Sequence, residues 1–253
     1  MNPPFPSHPP RKPATMPLEL HLLTPADCPT WVTLHHAAFQ PSPLHICWAP
    51  GPMSPQSIAL QASHRAAALA APYSFAYKVT DSDKSNLIVG IAQWSIFTRP
   101  RSQSEITSSL QMRPPFPGDN TPARAEFMSG IFASRRKWIG DGRPIVILES
   151  LVVRAEYQRR GVGSMLVEWG CGEMDRLGVE GYLESSSAGR KLYAKYGFEG
   201  VEELGFDARR WGASEGDVHL TMIRQPRRVE KREEGREGKA EAGQSGTGGE
   251  NVG

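Results

Sequence analysis

Apolar and polar positions change their spacing along this chain, and the spacing predicts the elements. Leu18 to Leu23 (LELHLL) alternates, the two-residue period of a short strand. Thr24 sits where a helix cap belongs and Pro25 at a first helical position, so a helix through Leu34 and Phe39 is expected, broken by Pro41 and Pro43. A second, alanine-rich helix is expected over roughly Pro55 to Ala71. Ser74 to Thr80 (SFAYKVT) and Leu87 to Phe97 (LIVGIAQWSIF) read as two strands, and the polar DSDKSN between them as a hairpin turn. Arg99 to Pro122 is rich in Pro, Ser and Arg with little periodicity, which predicts a long loop. Ala123 to Ile139 is helical in pattern.

Ile145 to Val153 (IVILESLVV) is almost continuously apolar, as expected of a central strand buried on both faces. A Gly-x-Gly segment and an apolar-periodic helix follow it directly. Gly181 to Ser186 is another short strand, Ala188 to Tyr196 a helix closed by Gly197, and Phe198 to Phe206 and Asp217 to Ile223 the last strands. Gly170 and Gly172 stand inside the helix after the Gly-x-Gly, where each costs ~1 kcal/mol relative to alanine. The pattern alone leaves them unexplained, with close packing against the sheet or a cofactor as one reason.

The two ends break this pattern. Residues 1–17 are proline-rich without an apolar core, so neither a secretory leader nor regular structure is expected. Residues 227–253 hold six basic and six acidic residues, abundant glycine and almost nothing apolar. Such a segment cannot offset its ordering entropy and is expected to be disordered. Residues 18–226 are left as the folded domain, with 101–122 as a loop insertion.

Composition adds exclusions. The net charge of +2 argues against nucleic acid or an anionic membrane as the main partner. No apolar run approaches the roughly 18–20 residues of a membrane span. Cys28, Cys47 and Cys171 are odd in number and far apart, which suggests free thiols in a reducing compartment and no zinc site. A cytoplasmic location is expected, with the nucleus as the alternative.

The chemistry centres on Gln158-Arg159-Arg160-Gly161-Val162-Gly163-Ser164. A buried strand that runs into glycines and a helix N-terminus offers unpaired N–H groups and the positive end of a helix dipole to a phosphate. The two glycines permit close approach of the backbone, and the two arginines add positive charge. A nucleoside-triphosphatase loop would need Gly-Lys-Ser/Thr, but Ser164-Met165 follows Gly163. A dinucleotide fold would need a third glycine where Leu166 stands. Taken alone, the segment is also compatible with a plain strand-to-helix turn.

This segment resembles the Gln/Arg-x-x-Gly-x-Gly/Ala motif of the GNAT superfamily of acyl-CoA-dependent N-acyltransferases. Leu192-Tyr193-Ala194-Lys195-Tyr196-Gly197-Phe198 is similar to that family's second signature, with Leu192 in its first, usually aromatic, slot. The resemblance implies an α+β, mixed fold: a central, mostly antiparallel sheet flanked by helices and splayed at the strand that binds the cofactor. It implies acetyl-CoA as acyl donor, CoA as product and no metal. Pyrophosphate would sit on the backbone of Arg159 to Ser164, preceded by Gln158, and the pantetheine arm beside Leu151, Val152 and Val153.

The resemblance also implies the reaction: direct attack of a primary amine on acetyl-CoA in a ternary complex. An alkylammonium has a pKa near 10 and must lose a proton first, while the departing thiolate gains from receiving one. Tyr193 falls where many family members carry a tyrosine beside the sulfur, and a phenol is a neutral donor at pH 7. Glu149 is the lone charge in its strand, a position that is costly unless it faces a cleft, which makes it a candidate base or acceptor-binding group. Glu184 is its competitor. His35, His36 and His45 are expected in surface or core roles. A small-molecule amine is the first acceptor class and a protein amine the second; the state is monomer or homodimer. The alternative is a CoA-binding or interaction protein on the same fold without turnover.

Overall fold

The computed structural model describes residues 17–40, 42, 51–212 and 218–227. Seven strands form one sheet in the order β1-β2-β3-β4-β5-β7-β6. They are β1 Leu18–Leu22, β2 Ser74–Asp81, β3 Leu87–Phe97, β4 Ile145–Val153, β5 Glu180–Ser185, β6 Glu199–Glu203 and β7 Leu220–Arg224. Strands β1 to β4 pair antiparallel in sequence order, β4 pairs parallel with β5, and β7 pairs antiparallel with β5 and β6. The helices are α1 Cys28–Phe39, α2 Pro55–Leu69, α3 Gln103–Ser109, α4 Thr121–Ile139, α5 Val162–Leu177 and α6 Arg190–Lys195. This mostly antiparallel sheet with flanking helices is the mixed fold that the motifs imply.

The entry to α1 follows its caps. Thr24 donates both its N–H and its hydroxyl to the Asp27 carboxylate at 2.8 Å, and Pro25 to Asp27 forms a 3-10 turn that leads into the helix. The turn between β2 and β3 is tight because Ser85 and Asn86 both adopt left-handed backbone, with φ of 54° and 57°.

Each face of the sheet carries its own core. Trp94, Leu148 and Val146 pack beneath α5 with Leu166, Val167 and Met174. Ile91, Val152 and Ala76 face Trp31 and Val32 of α1 and Ala62 of α2. Ile145, Ile147 and Tyr182 meet Ile139 at the end of α4.

Three expectations need correction. The segment 101–122 is not a structureless loop, since it holds α3. Ser102 accepts a hydrogen bond from the Glu105 amide at 3.2 Å and Glu105 accepts from the Ser102 amide at 2.8 Å, a complete capping box. Ile106 and Leu110 then lie one turn apart and enter a core with Phe127 and Ile131 of α4. Strand β4 is buried on both faces only from Ile145 to Leu148; Glu149 is exposed and Ser150, Leu151 and Val153 are half-buried. The strand expected over 198–206 is confined to Glu199–Glu203. The expectations for residues 1–16, 228–253, Pro41, Pro43, His45, Cys47 and the first residue of the final strand lie outside the described residues.

Candidate active site

Strand β4 changes character at Glu149. Gln93 pairs with Ser150 while Trp94 pairs with Leu148, so Glu149 is an extra residue without a partner on β3, a β-bulge. On the other side, β4 pairs with β5 only from Ile145 to Leu148. The sheet therefore splays from the bulge onward, and the β5-facing edge of residues 149–153 is left open. The Arg154 N–H donates to Val89 O at 2.9 Å. In an antiparallel ladder the residues that exchange hydrogen bonds alternate. Val152 and Ser150 therefore turn their backbone toward β3, and Leu151 and Val153 turn theirs toward the opening.

At the far end of this edge lies the Gly-x-Gly turn. Arg159 has φ 59° and Gly161 φ 90°, both left-handed, and these two reversals swing the chain from the 3-10 turn Ala155–Tyr157 into α5. The first backbone bond of the helix runs from Met165 N–H to Gly161 O, so the amides of residues 159–164 have no backbone acceptor among the described residues. Gln158, Arg159, Arg160 and Gly161 are exposed, and Gly163 and Ser164 half-buried. The Arg160 guanidinium stacks 4.5 Å from the centroid of Tyr157. Val162 is buried against β3, where a Cβ on Gly90 would stand 2.4 Å from its Cγ1. A Cβ on Gly163 would stand 2.9 Å from Leu192, so the two sequence motifs touch here. The pocket of unpaired amides, two exposed guanidiniums and a helix N-terminus suits a pyrophosphate.

A cleft of about 1440 Å³ opens on the other side of β4, walled by α1, α2, α3 and α4. Ser74, Gln93, Ser95, Glu149, Ser150 and Leu151 are on its floor. The Ser95 hydroxyl donates to Glu149 Oε1 at 2.8 Å, and Arg135 of α4 lies 3.1 Å from Glu149 Oε2. Arg135 also grips Glu184 through two hydrogen bonds of 2.8 and 3.0 Å. Burial works to lower the Arg135 pKa, but the charges of Glu149 and Glu184 outweigh it and hold the guanidinium well above its usual range. Both carboxylates named from the sequence thus share one cation, Glu184 the more firmly. Ser150 has a buried hydroxyl with no hydrogen-bond partner among the described residues.

Tyr193 reaches the same cleft from α6. Its ring is buried, 7% exposed, and packs edge-on against Phe198 at 6.1 Å. Burial alone pushes its pKa up, which keeps the phenol protonated as a donor. No hydrogen bond occupies its hydroxyl among the described residues. His35 and His36 also line the cleft, more than the surface or core role expected of them. Burial first, then the charges of Arg65 and His36, push His35 well below its usual range, so it is neutral at pH 7.

Sequence reasoning passed over Arg135, Ser95 and Ser150. Arg135 had a faint signal, as one of three consecutive basic residues in the last turns of α4. The serines had none, since only the bulge shows which face they share.

Known proteins carry the same architecture. Residues 126–200 match the family model described as the acetyltransferase (GNAT) domain. A probable acyltransferase, SID5, from Ajellomyces capsulatus is 41% identical over 46 residues, which is 18% of this chain and 34% of that protein. The match spans only about a third of that relative's length. A histone acetyltransferase HPA2 and related acetyltransferase from Corynebacterium glutamicum superposes with a TM-score of 0.53 at 22% identity, covering 85% of this chain and 99% of that one. A mosquito arylalkylamine N-acetyltransferase like 5b gives 0.56 at 12% identity, covering 82% and 99%. An agmatine N-acetyltransferase variant gives 0.58 at 11% identity, covering 83% and 99%. Identities this low speak to the fold. The matched segment is thus similar to the GNAT acetyltransferase domain, and the fold is one that these solved acetyltransferases share.

Proposed function

We propose that the chain transfers an acetyl group from acetyl-CoA to a primary amine by direct attack in a ternary complex. The observation that carries the reading is the splayed edge of β4, with unpaired amides of residues 159–164 at one end and Glu149 and Tyr193 at the other. Acetyl-CoA supplies the activated acyl group. The amides of Arg159 to Ser164, with Arg159 and Arg160, hold its pyrophosphate, and Gln158 shapes the turn before them. Leu151 and Val153 offer backbone groups to the pantetheine arm as an added strand would, with Val152 anchoring β4 in the core.

Glu149 attracts the acceptor ammonium and takes its proton directly or through water, since each carboxylate oxygen keeps a lone pair beyond its bond to Ser95 or Arg135. The amine nitrogen then bonds to the thioester carbon as the C–S bond breaks. Tyr193 gives its phenolic proton to the departing sulfur, and the acylated nitrogen sheds its surplus proton, which returns through water to the phenolate. Glu184 is bound twice to Arg135 and is better suited to fixing that guanidinium than to moving a proton. No metal is needed for any of these steps.

A panel of primary amines incubated with acetyl-CoA tests the reading, with thiol release and acetylated product measured together. Both should appear in equal amounts with at least one amine. Tight CoA binding without turnover of any amine would instead favour a CoA-binding protein on this fold.

A further inference from the structure

The acceptor cleft has an uneven charge pattern. Six arginines line it, Arg65, Arg99, Arg101, Arg113, Arg124 and Arg135, against four carboxylates, Glu105, Asp119, Glu149 and Glu184. Every one of those carboxylates has a partner. Arg99 holds Glu105 at 2.6 Å, Arg124 faces Asp119 at 3.6 Å, and Arg135 bridges Glu149 and Glu184. Arg101 forms no ion pair among the described residues, but it donates to Ile139 O at 3.0 Å and stacks 4.5 Å from the Phe97 centroid. Arg65 and Arg113 are left without an anionic or hydrogen-bonding partner for their side chains among the described residues.

Arg65 is held ready. It projects from α2, is half-buried, and lies 4.2 Å over the ring of Trp31, which is itself fully buried. Stacking on an indole fixes the plane of a guanidinium while leaving its N–H edge free. Burial pushes Arg65 down to about 10; Cys28 offsets part of this, and the nearby charge of Arg113 pushes further down. It stays a cation at neutral pH, desolvated and beside a like charge. That is a cost an incoming anion would relieve.

We propose that the acceptor is an amine that also carries a carboxylate, with its ammonium at Glu149 on the sheet floor and its carboxylate at Arg65 and Arg113. The assignment rests on the acetyltransfer reading above and deepens it. It disfavours diamines and polyamines, whose second ammonium would face Arg65 and Arg113 where the carboxylate is placed. It also disfavours plain hydrophobic amines, which would leave two guanidiniums uncompensated.

Matched acceptors test this, each an amino acid and the amine formed by its decarboxylation: lysine with cadaverine, ornithine with putrescine, phenylalanine with phenethylamine. Thiol release from acetyl-CoA gives kcat/KM, and calorimetry on the CoA-loaded protein gives acceptor binding without turnover. The carboxylated member should be preferred in at least one pair by roughly 10- to 100-fold, the worth of a charge-assisted hydrogen bond. Arg65→Gln should collapse that preference toward one, mainly through KM, and Arg65→Lys should restore part of it. Arg113→Gln, on an exposed side chain, should do the same without risk to folding. Equal or reversed preference in every pair would overturn the assignment while leaving acetyltransfer intact. So would CoA binding with no carboxylated amine either bound or acetylated. Failure of the folded protein to bind CoA would instead overturn the reading on which it rests.

Discussion

For single residues, the proposed transfer depends on one phenol and one shared guanidinium. Tyr193→Phe keeps the ring that packs on Phe198 and removes only the donor. Turnover should fall by a factor on the order of 10²–10⁴ while CoA affinity changes little. A thioester with a more acidic leaving thiol should lose less, because its thiolate needs less help. Lower thermal stability with normal turnover per folded molecule would show that Tyr193 serves packing alone. Arg135 carries a different expectation. Its side chain is 15% exposed, between Glu149 at 26% and Glu184 at 7%. Arg135→Met would strand two carboxylates without their counter-charge and should cost about 3–5 kcal/mol in urea denaturation. Adding Glu184→Gln should recover part of it. Tyr193 and Glu149 could be named from the sequence because one lies in a motif and the other breaks an apolar run. Arg135 could not, because its importance comes from two partners, 14 and 49 positions away in the chain, that only the fold brings to it.

Among the elements, β4 and α5 set the site, and their glycines make the clearest pair of tests. The two helix glycines that the pattern left unexplained have different causes. A Cβ on Gly170 would stand 2.3–2.5 Å from the Trp94 ring, so the gap lets α5 lie directly on β3. A Cβ on Gly172 would meet nothing within 4 Å, and the residue is exposed. Gly170→Ala should therefore destabilise the protein despite alanine's better helix propensity, by roughly 1–3 kcal/mol as overpacking. Gly172→Ala should stabilise it by up to ~1 kcal/mol. Thermal melts of the two variants should move in opposite directions. Most elements were legible from their apolar period, including β3 and β4 to the residue. Helix α3 was not: it is short, and its Pro- and Ser-rich surroundings outweighed the Ser102-to-Glu105 capping box and the Ile106–Leu110 spacing that mark it. The bulge and the splay were invisible because they are relations between strands. One strand's sequence records its own period, not the register its neighbours adopt.

Across the whole molecule, long-range charge pairs tie the sheet's far strands to its helices. Asp175, in the last turn of α5, receives Arg224 of β7 through two hydrogen bonds of 2.8 and 2.9 Å, and the Arg227 amide at 2.7 Å. Burial acts to raise the Asp175 pKa, but these bonds outweigh it and hold the carboxyl below its ordinary value. A carboxyl depressed in the folded state stabilises the fold above its unfolded pKa, near 3.9, and loses that contribution as pH falls through the folded value. Stability should thus decline below about pH 4, and Asp175→Asn should flatten that part of the decline. Among the described residues no helix is long and apolar enough to cross a membrane.

The central claim is that the opened edge of β4 and the amides of residues 159–164 form a metal-independent CoA site. Calorimetric titration of the full chain with CoA in excess chelator tests it most directly. Saturable one-to-one binding is predicted, and Gly163→Asp should abolish it by placing negative charge against the pyrophosphate. A folded protein that takes up no CoA under these conditions would contradict the account.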